Sequence, residues 1–212
     1  MESFWNLPRR YQWRGGEIFP RGRGLITRGA AEHGERELVI GQWGLIPWFT
    51  DSPKLKYATS NARFEELSAK ASYKQPWARG QRCIIPALSF DEPCWETGRN
   101  FWWRFRRADG KPWSLAGLWN AWVNKATGEV VESYTMLTLN ADSQLLLSRM
   151  HKPDPKYGLT EQDKHSVVPS VRDDIEQWSC GTQKEASKLV RVPPPDAFAY
   201  EQLPPSKPAR KR

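Results

Sequence analysis

Cysteine is scarce and unpatterned in this chain. Cys83, Cys94 and Cys180 are odd in number and have no C-x-x-C spacing, which argues against a disulfide framework and against a zinc site built on cysteine pairs. Long apolar runs are missing too, since no stretch approaches the roughly 20 residues that cross a bilayer. The opening Met1-Glu2-Ser3-Phe4-Trp5 lacks the basic and apolar regions of a signal peptide. These absences predict a protein with no membrane span, in a reducing cytoplasm. Internal repeats are absent as well. Acidic residues are in deficit, 24 Asp and Glu against 32 Lys and Arg, so the formal charge is +8. A basic balance suits a polyanionic partner without identifying one.

What is present in excess is tryptophan. Twelve of them in 212 residues exceed the ordinary needs of a core, and these large amphipathic rings also serve as stacking platforms. Basic charge with surplus aromatics leans towards nucleic acid. The length suits one domain, read as residues 1–192, followed by a Pro-rich strap and basic tail at 193–212, where Pro193 to Pro195, Pro204, Pro205 and Pro208 precede Arg210-Lys211-Arg212. That tail cannot pack a core.

Along the chain, LVIGQWGLIP (Leu38 to Pro47) reads as a buried strand with a bend at its glycines. Asp51 to Tyr57 reads as a surface loop, and Asn61 to Arg79 as the first helix, with Lys70, Lys74 and Arg79 on an exposed face. CIIPALSF (Cys83 to Phe90), FWWRFRR (Phe101 to Arg107), SLAGLWNAWV (Ser114 to Val123) and SYTMLTLN (Ser133 to Asn140) are strand candidates joined by tight turns. Asp142 to Met150 and Val171 to Ser179 are helix candidates. The expected fold is α+β, a single compact domain on a mainly antiparallel sheet or barrel with flanking helices.

Four stretches, in order, carry a more specific signal. Trp43-Gly44-Leu45-Ile46-Pro47-Trp48 with Asn61-Ala62-Arg63-Phe64-Glu65, then Pro86-Ala87-Leu88-Ser89-Phe90-Asp91-Glu92-Pro93, then Ala116-Gly117-Leu118-Trp119 with Tyr134-Thr135-Met136-Leu137-Thr138, and finally Met150-His151-Lys152-Pro153 with Ser166-Val167-Val168-Pro169, resemble the motifs of the SOS-response-associated peptidases. The resemblance spans about Trp5 to Trp178. It implies a compact β-rich fold, no metal or cofactor, and a monomer that binds single-stranded DNA and cross-links to abasic sites. In the resembling proteins the amine and thiol of an N-terminal Cys close a thiazolidine on the ring-opened sugar, and the same residue releases a leader peptide. Of their site, an Asn, a Glu and a His match Asn61, Glu92 and His151. Chemically these fit imine formation: Glu92 as proton shuttle, His151 protonating the ring oxygen near neutral pH, Asn61 orienting without titrating.

The resemblance also implies DNA contacts. Pro47 and Trp48 sit in the loop that wedges against unstacked bases, Arg63 meets a phosphate, and Trp43, Lys74, Arg79 and Arg82, with Lys54 and Lys56, extend the face. Taken singly, Asn61 is more often an N-cap, Glu92 and His151 solvated loop residues, the tryptophans core and the cations a solvated helix face. Order and company favour the functional reading. The departure is the nucleophile: position 2 is Glu2 and the first cysteine is Cys83. Phe4-Trp5-Asn6-Leu7 resembles a segment about a dozen residues inside family members, so a start cut short of its Met-Cys is expected. The alternatives are a non-catalytic or weak-lyase DNA-binding relative, and a peptidase acting on other proteins.

Overall fold

The apolar run from Leu38 divides at Gly44, whose φ of +133° is open to glycine but strained for any side chain. The strand before it stays in a sheet and the Leu45–Pro47 segment after it turns into the interior, its three residues buried. The computed structural model describes residues 15–29, 36–157, 162–170 and 174–204. Within them lie β1 (Arg23–Gly29), β2 (Arg36–Trp43), β3 (Asn61–Arg63), α1 (Ala71–Ala78), β4 (Arg82–Ala87), β5 (Phe90–Cys94), β6 (Phe101–Arg107), β7 (Trp113–Val123), β8 (Val130–Asn140), β9 (His165–Val167), β10 (Pro169–Ser170), α2 (Ile175–Cys180), α3 (Gln183–Leu189) and β11 (Phe198–Gln202). The α+β class is as expected. No helix among the described residues is long and apolar enough to cross a membrane.

Packing groups the chain into two compact units, each assembled from three separated segments. The first comprises Met1–Pro86, Ser114–Leu139 and Val167–Arg191. Its strands run β7, β4, β1, β2, β8 and back to β7, closing a ring. Closure removes the open edges that a flat sheet would expose. The antiparallel pairs place Leu25 opposite Ile40 and Trp119 opposite Tyr134, while β2 meets β8 in parallel at Trp43 and Tyr134. The ring approaches so closely at Gly117 that a Cβ there would lie 2.6 Å from the Thr135 carbonyl oxygen. Leu45, Leu67, Trp77, Leu118, Leu137 and Trp178 belong to its core cluster. There α2 contributes Trp178, whose indole N–H donates to the Cys83 carbonyl at 2.9 Å, and α3 begins on a Thr182–Glu185 capping box.

The second unit comprises Ala87–Trp113, Asn140–Ser166 and Val192–Arg212. Its sheet runs β11, β6, β5, all antiparallel. Phe90 stacks on Phe105 at 5.3 Å, and Phe198 and Trp113 close around them. The expected boundary at 192/193 thus falls at the head of that unit's last segment. Past it the chain is not only a strap: Phe198–Gln202 pairs with β6 from Arg107 to Trp103. Residues 205–212 lie outside the described residues.

Two helix expectations need correction. Asn61 opens no helix, because Asn61–Arg63 pairs in parallel with β8 from Met136 to Thr138, and the helix starts only at Ala71. Asp142–Met150 is reduced to a single 3-10 turn at Leu147–Arg149. Asp142 does not cap it, since its carboxylate accepts the amides of Asp163 and Lys164 at 2.9 and 2.8 Å, while Gln144 Oε1 accepts those of Leu146 and Leu147, both at 2.7 Å. The helix expected at Val171–Ser179 is found at Ile175–Cys180, and residues 171–173 lie outside the described residues.

Candidate active site and DNA-facing surface

Alternation along β5 puts Phe90, Glu92 and Cys94 on one face. Phe90 is fixed in the aromatic cluster and Cys94 is buried, bridging to Met150, so Glu92 between them is drawn into an apolar setting. Its side chain is 18% exposed. Burial pushes the Glu92 carboxyl up to about 8, with the neighbouring Asp91 charge adding to the effect. Asp91 points to the other face, where Arg104 holds it with two hydrogen bonds of 2.8 Å.

Directly opposite Glu92 in register is Trp103, and the Arg149 guanidinium lies 5.6 Å from that ring. Arg149 is itself forked onto Glu96 at 3.1 and 2.6 Å. Tyr200 of β11, 46% exposed, packs 5.3 Å from Trp103. On the other flank Lys152 stands 5.3 Å from the Trp95 ring. None of these six appeared among the sequence-derived site residues. The alternation of FWWRFRR held the signal for Trp103; nothing in the Pro-rich tail announced Tyr200.

His151 reaches Glu92 through an unusual backbone. Its φ is +61°, the left-handed region that side chains rarely adopt. Its amide donates to the Pro93 carbonyl at 2.5 Å, its ring hydrogen-bonds the His165 backbone, and its carbonyl accepts from the Lys164 ammonium at 2.7 Å. The result is a His151 Nε2 to Glu92 Oε2 distance of 3.3 Å. Burial holds the imidazole below its ordinary value; the hydrogen bond to His165 opposes this, and the charges of Lys164 and His165 reinforce it. At neutral pH the pair therefore carries one proton between a neutral acid and a neutral base, so Glu92, and not His151 as expected, is its proton donor. That is an arrangement fitted to proton transfer in both directions.

The first unit carries the other expected residues. Its W-G-L-I-P-W loop is tied from inside. Ser133 Oγ accepts the Ile46 amide at 2.9 Å, Asn120 donates to the Ile46 carbonyl at 2.7 Å, and Trp122 donates to the Thr50 carbonyl at 2.8 Å. So held, the loop presents Trp48, 56% exposed, edge-on to Phe49 at 5.8 Å. With Ala71, Lys74, Gln75 and Ala78 of α1 they line an apolar cleft of about 380 Å³. The structure thus brings Trp48 and Lys74 together. Arg79, Arg63, Lys54 and Lys56 are exposed, as is Asn61, whose carbonyl accepts from the Tyr73 hydroxyl at 3.1 Å.

Three residues expected on the DNA face are placed differently. Arg82 is buried, donating to the carbonyls of Trp178 and Gly181 at the end of α2, so it braces the helix rather than meeting solvent. Pro47 is buried, and Trp43 is half-buried with its indole N–H on the Ser60 carbonyl at 2.8 Å. Both support the loop from behind. Glu92 and His151 stand together in the second unit, whereas Asn61 belongs to the first.

Comparison with known proteins adds the context. The family model described as SOS response associated peptidase (SRAP) matches residues 9–193. The chicken "Abasic site processing protein HMCES" is 27% identical over 190 residues, 76% of this chain and 51% of that protein. "Abasic site processing protein YobE" of Bacillus subtilis is 32% identical over 167 residues, covering 70% and 73%. The chain spans about half the length of the vertebrate relatives it matches, 51% of the chicken protein and 43% of the Xenopus tropicalis one. A crystal structure of a Bordetella bronchiseptica protein superposes with a TM-score of 0.77 at 34% identity, over 90% of both chains. A Bacteroides thetaiotaomicron structure does so at 0.71 with 21% identity, covering 87% and 75%, which shows the shared fold.

Proposed function

The chain belongs to the SOS response associated peptidase family, and on that premise we propose that it binds single-stranded DNA and processes abasic sites, with Glu92 and His151 carrying the protons. The observation that carries this reading is the 3.3 Å Glu92–His151 pair, its acid pushed up to about 8. Relatives named for abasic-site processing support it.

An abasic sugar in its open form presents an aldehyde. An amine adds to the carbonyl carbon, and His151 accepts the proton that the nitrogen must shed. Glu92 gives its proton to the carbonyl oxygen, making the hydroxyl of a carbinolamine. Once the pair has reset, Glu92 protonates that hydroxyl, which leaves as water while the nitrogen lone pair closes the C=N bond, and His151 takes the second nitrogen proton. The imidazolium and carboxylate so formed face each other at 3.3 Å, and one transfer between them resets both. When the amine is that of an N-terminal cysteine, its thiol adds across the imine to give the thiazolidine. Position 2 of this sequence is Glu2, so capture is tested with a cysteine supplied there. Asn61 has its role, orienting the reacting groups, on the strength of the motif.

The test is a denaturing gel of abasic single-stranded DNA with the chain as written, with a Met-Cys-Gly-Arg leader, and with that leader plus Glu92→Gln. A heat-stable shifted band with the leader, lost in Glu92→Gln, is the expected result. No band in any arm, with removal of the leader's Met verified, sinks the cross-linking reading. Salt-dependent DNA binding indifferent to Glu92→Gln would then mark a non-catalytic module, and turnover of peptide substrates a peptidase.

A further inference from the structure

Lys164 is 5% exposed, and a lysine is seldom buried without a task that holds its ammonium. Its backbone is fixed on both sides: the amide donates to Asp142 Oδ1 at 2.8 Å, and the carbonyl accepts from Ala141 at 2.8 Å. The side chain spans from this anchor to the His151 carbonyl, 2.7 Å from Nζ. That carbonyl belongs to the residue held at φ +61°, a conformation that persists only where surrounding contacts over-determine it. The Pro93 carbonyl grips the same residue by its amide at 2.5 Å. His151 is thus clamped at both backbone polar groups.

Resting on the reading of Glu92 and His151 as proton carriers, we propose that Lys164 is the positioning residue of this site: its buried ammonium holds the His151 carbonyl, and so the strained backbone that aims the imidazole at Glu92. At 5% exposure the ammonium is not offered to a DNA phosphate. The charge has a second effect. The titratable groups facing His151 are Glu92 from β5 and Lys164 and His165 from the segment entering β9, with Asp163 3.7 Å from the His165 ring. Burial disfavours the imidazolium most, and the Lys164 charge adds to it, which favours His151 as a proton acceptor at neutral pH. Lys164 therefore holds where the base points and adds to the burial that keeps it neutral.

The experiment follows the imidazole of His151 by NMR titration, identified with His151→Gln, in the full chain and in Lys164→Met and Lys164→Arg. Loss of the charge in Lys164→Met is expected to raise the His151 midpoint towards the ordinary histidine value; Lys164→Arg, which keeps charge and donors, restores it. With the leader present, abasic-site capture near pH 6.5 falls about ten-fold or more in Lys164→Met, recovers in Lys164→Arg, and its acid limb moves up in pH. Should Lys164→Met fail to fold, Lys164→Gln, one atom shorter, keeps a donor without the charge and serves the same comparison. An unmoved His151 titration with wild-type capture, or equal loss in the Met and Arg variants, overturns the proposal. If Glu92→Gln also leaves capture intact, the functional reading fails, while the titration still decides the role of Lys164.

Discussion

Glu92 binds its proton more tightly in the folded chain than in the unfolded one, and this has a sign that can be measured. Its folded value stands up at about 8 against an ordinary 4.5. The stabilisation that goes with the raised value is therefore complete below pH 4.5 and drains away as pH climbs to about 8. Gln mimics the protonated form, so Glu92→Gln is expected to match the parent near pH 4.5 and to melt higher at pH 8.5. At roughly 1.4 kcal/mol per unit of displacement the gain is a few kcal/mol at most. Differential scanning calorimetry at both pH values checks this; a variant less stable at every pH would mean that an ionised Glu92 is held by an imidazolium. The same values predict a window for the proposed reaction. Capture should need His151 neutral and Glu92 protonated, so its rate should fall on the alkaline side through about pH 8 and on the acid side through a His151 value below 6.5. Tyr200 offers a separate test at this scale. At 46% exposure its truncation leaves the core intact, and if it stacks a base next to the sugar at Glu92, Tyr200→Ala weakens binding of an intact oligonucleotide by roughly ten-fold. Tyr200→Phe should bind as the parent does, and a backbone with base-free linkers should not distinguish the three.

Elements follow the sequence where periodicity is strong and depart from it where pairing is remote. FWWRFRR is β6 from Phe101 to Arg107 as read, and the strands at Ser114 and Ser133 are found within β7 and β8. The helix expected from Asn61 lost its first ten residues because β8 offers Asn61–Arg63 a parallel partner some 75 residues away, which no local propensity reveals. β11 was hidden for a similar reason: prolines mark the approach, yet the partner strand β6 decides the state. Of the candidate site, motif order singled out Glu92 and His151, which the fold brings to 3.3 Å, whereas Lys164 and the φ of His151 are products of packing. Motif glycines also gain a physical reason. Adding a Cβ at Gly117 meets the Thr135 carbonyl at 2.6 Å and Ile85 at 2.9 Å, so Gly117→Ala should lose about 1–3 kcal/mol by overpacking the ring, read from urea unfolding. Asn120→Ala should lose a similar amount by orphaning the Ile46 carbonyl that Asn120 holds at 2.7 Å. It should also free the Trp48 loop, which hydrogen exchange at Ile46 and Thr50 would detect.

At the scale of the whole molecule, charge and aromatic surface would make separable contributions to the proposed DNA binding. The formal charge of +8 promises affinity that weakens with salt, because each neutralised phosphate releases counterions. A solvated helix face would carry the same charges without touching the strand, and the two cases differ in slope rather than in strength. Lys74 lines the cleft with Trp48 and Phe49, and Arg79 is the C-cap of the same helix. If both meet phosphates of a single strand, the double change to Ala flattens the plot of log affinity against log salt by about 1.4, at about 0.7 per contact. Trp48→Ala removes a stacked ring and no charge, so it should lower affinity roughly ten-fold at every salt concentration and leave the slope alone. Fluorescence anisotropy with a labelled single strand at several salt concentrations measures both. A slope unchanged by the loss of Lys74 and Arg79 would return those residues to ordinary solvent exposure, and an affinity unchanged by Trp48→Ala would reduce the loop that Asn120 and Ser133 hold in place to part of the scaffold.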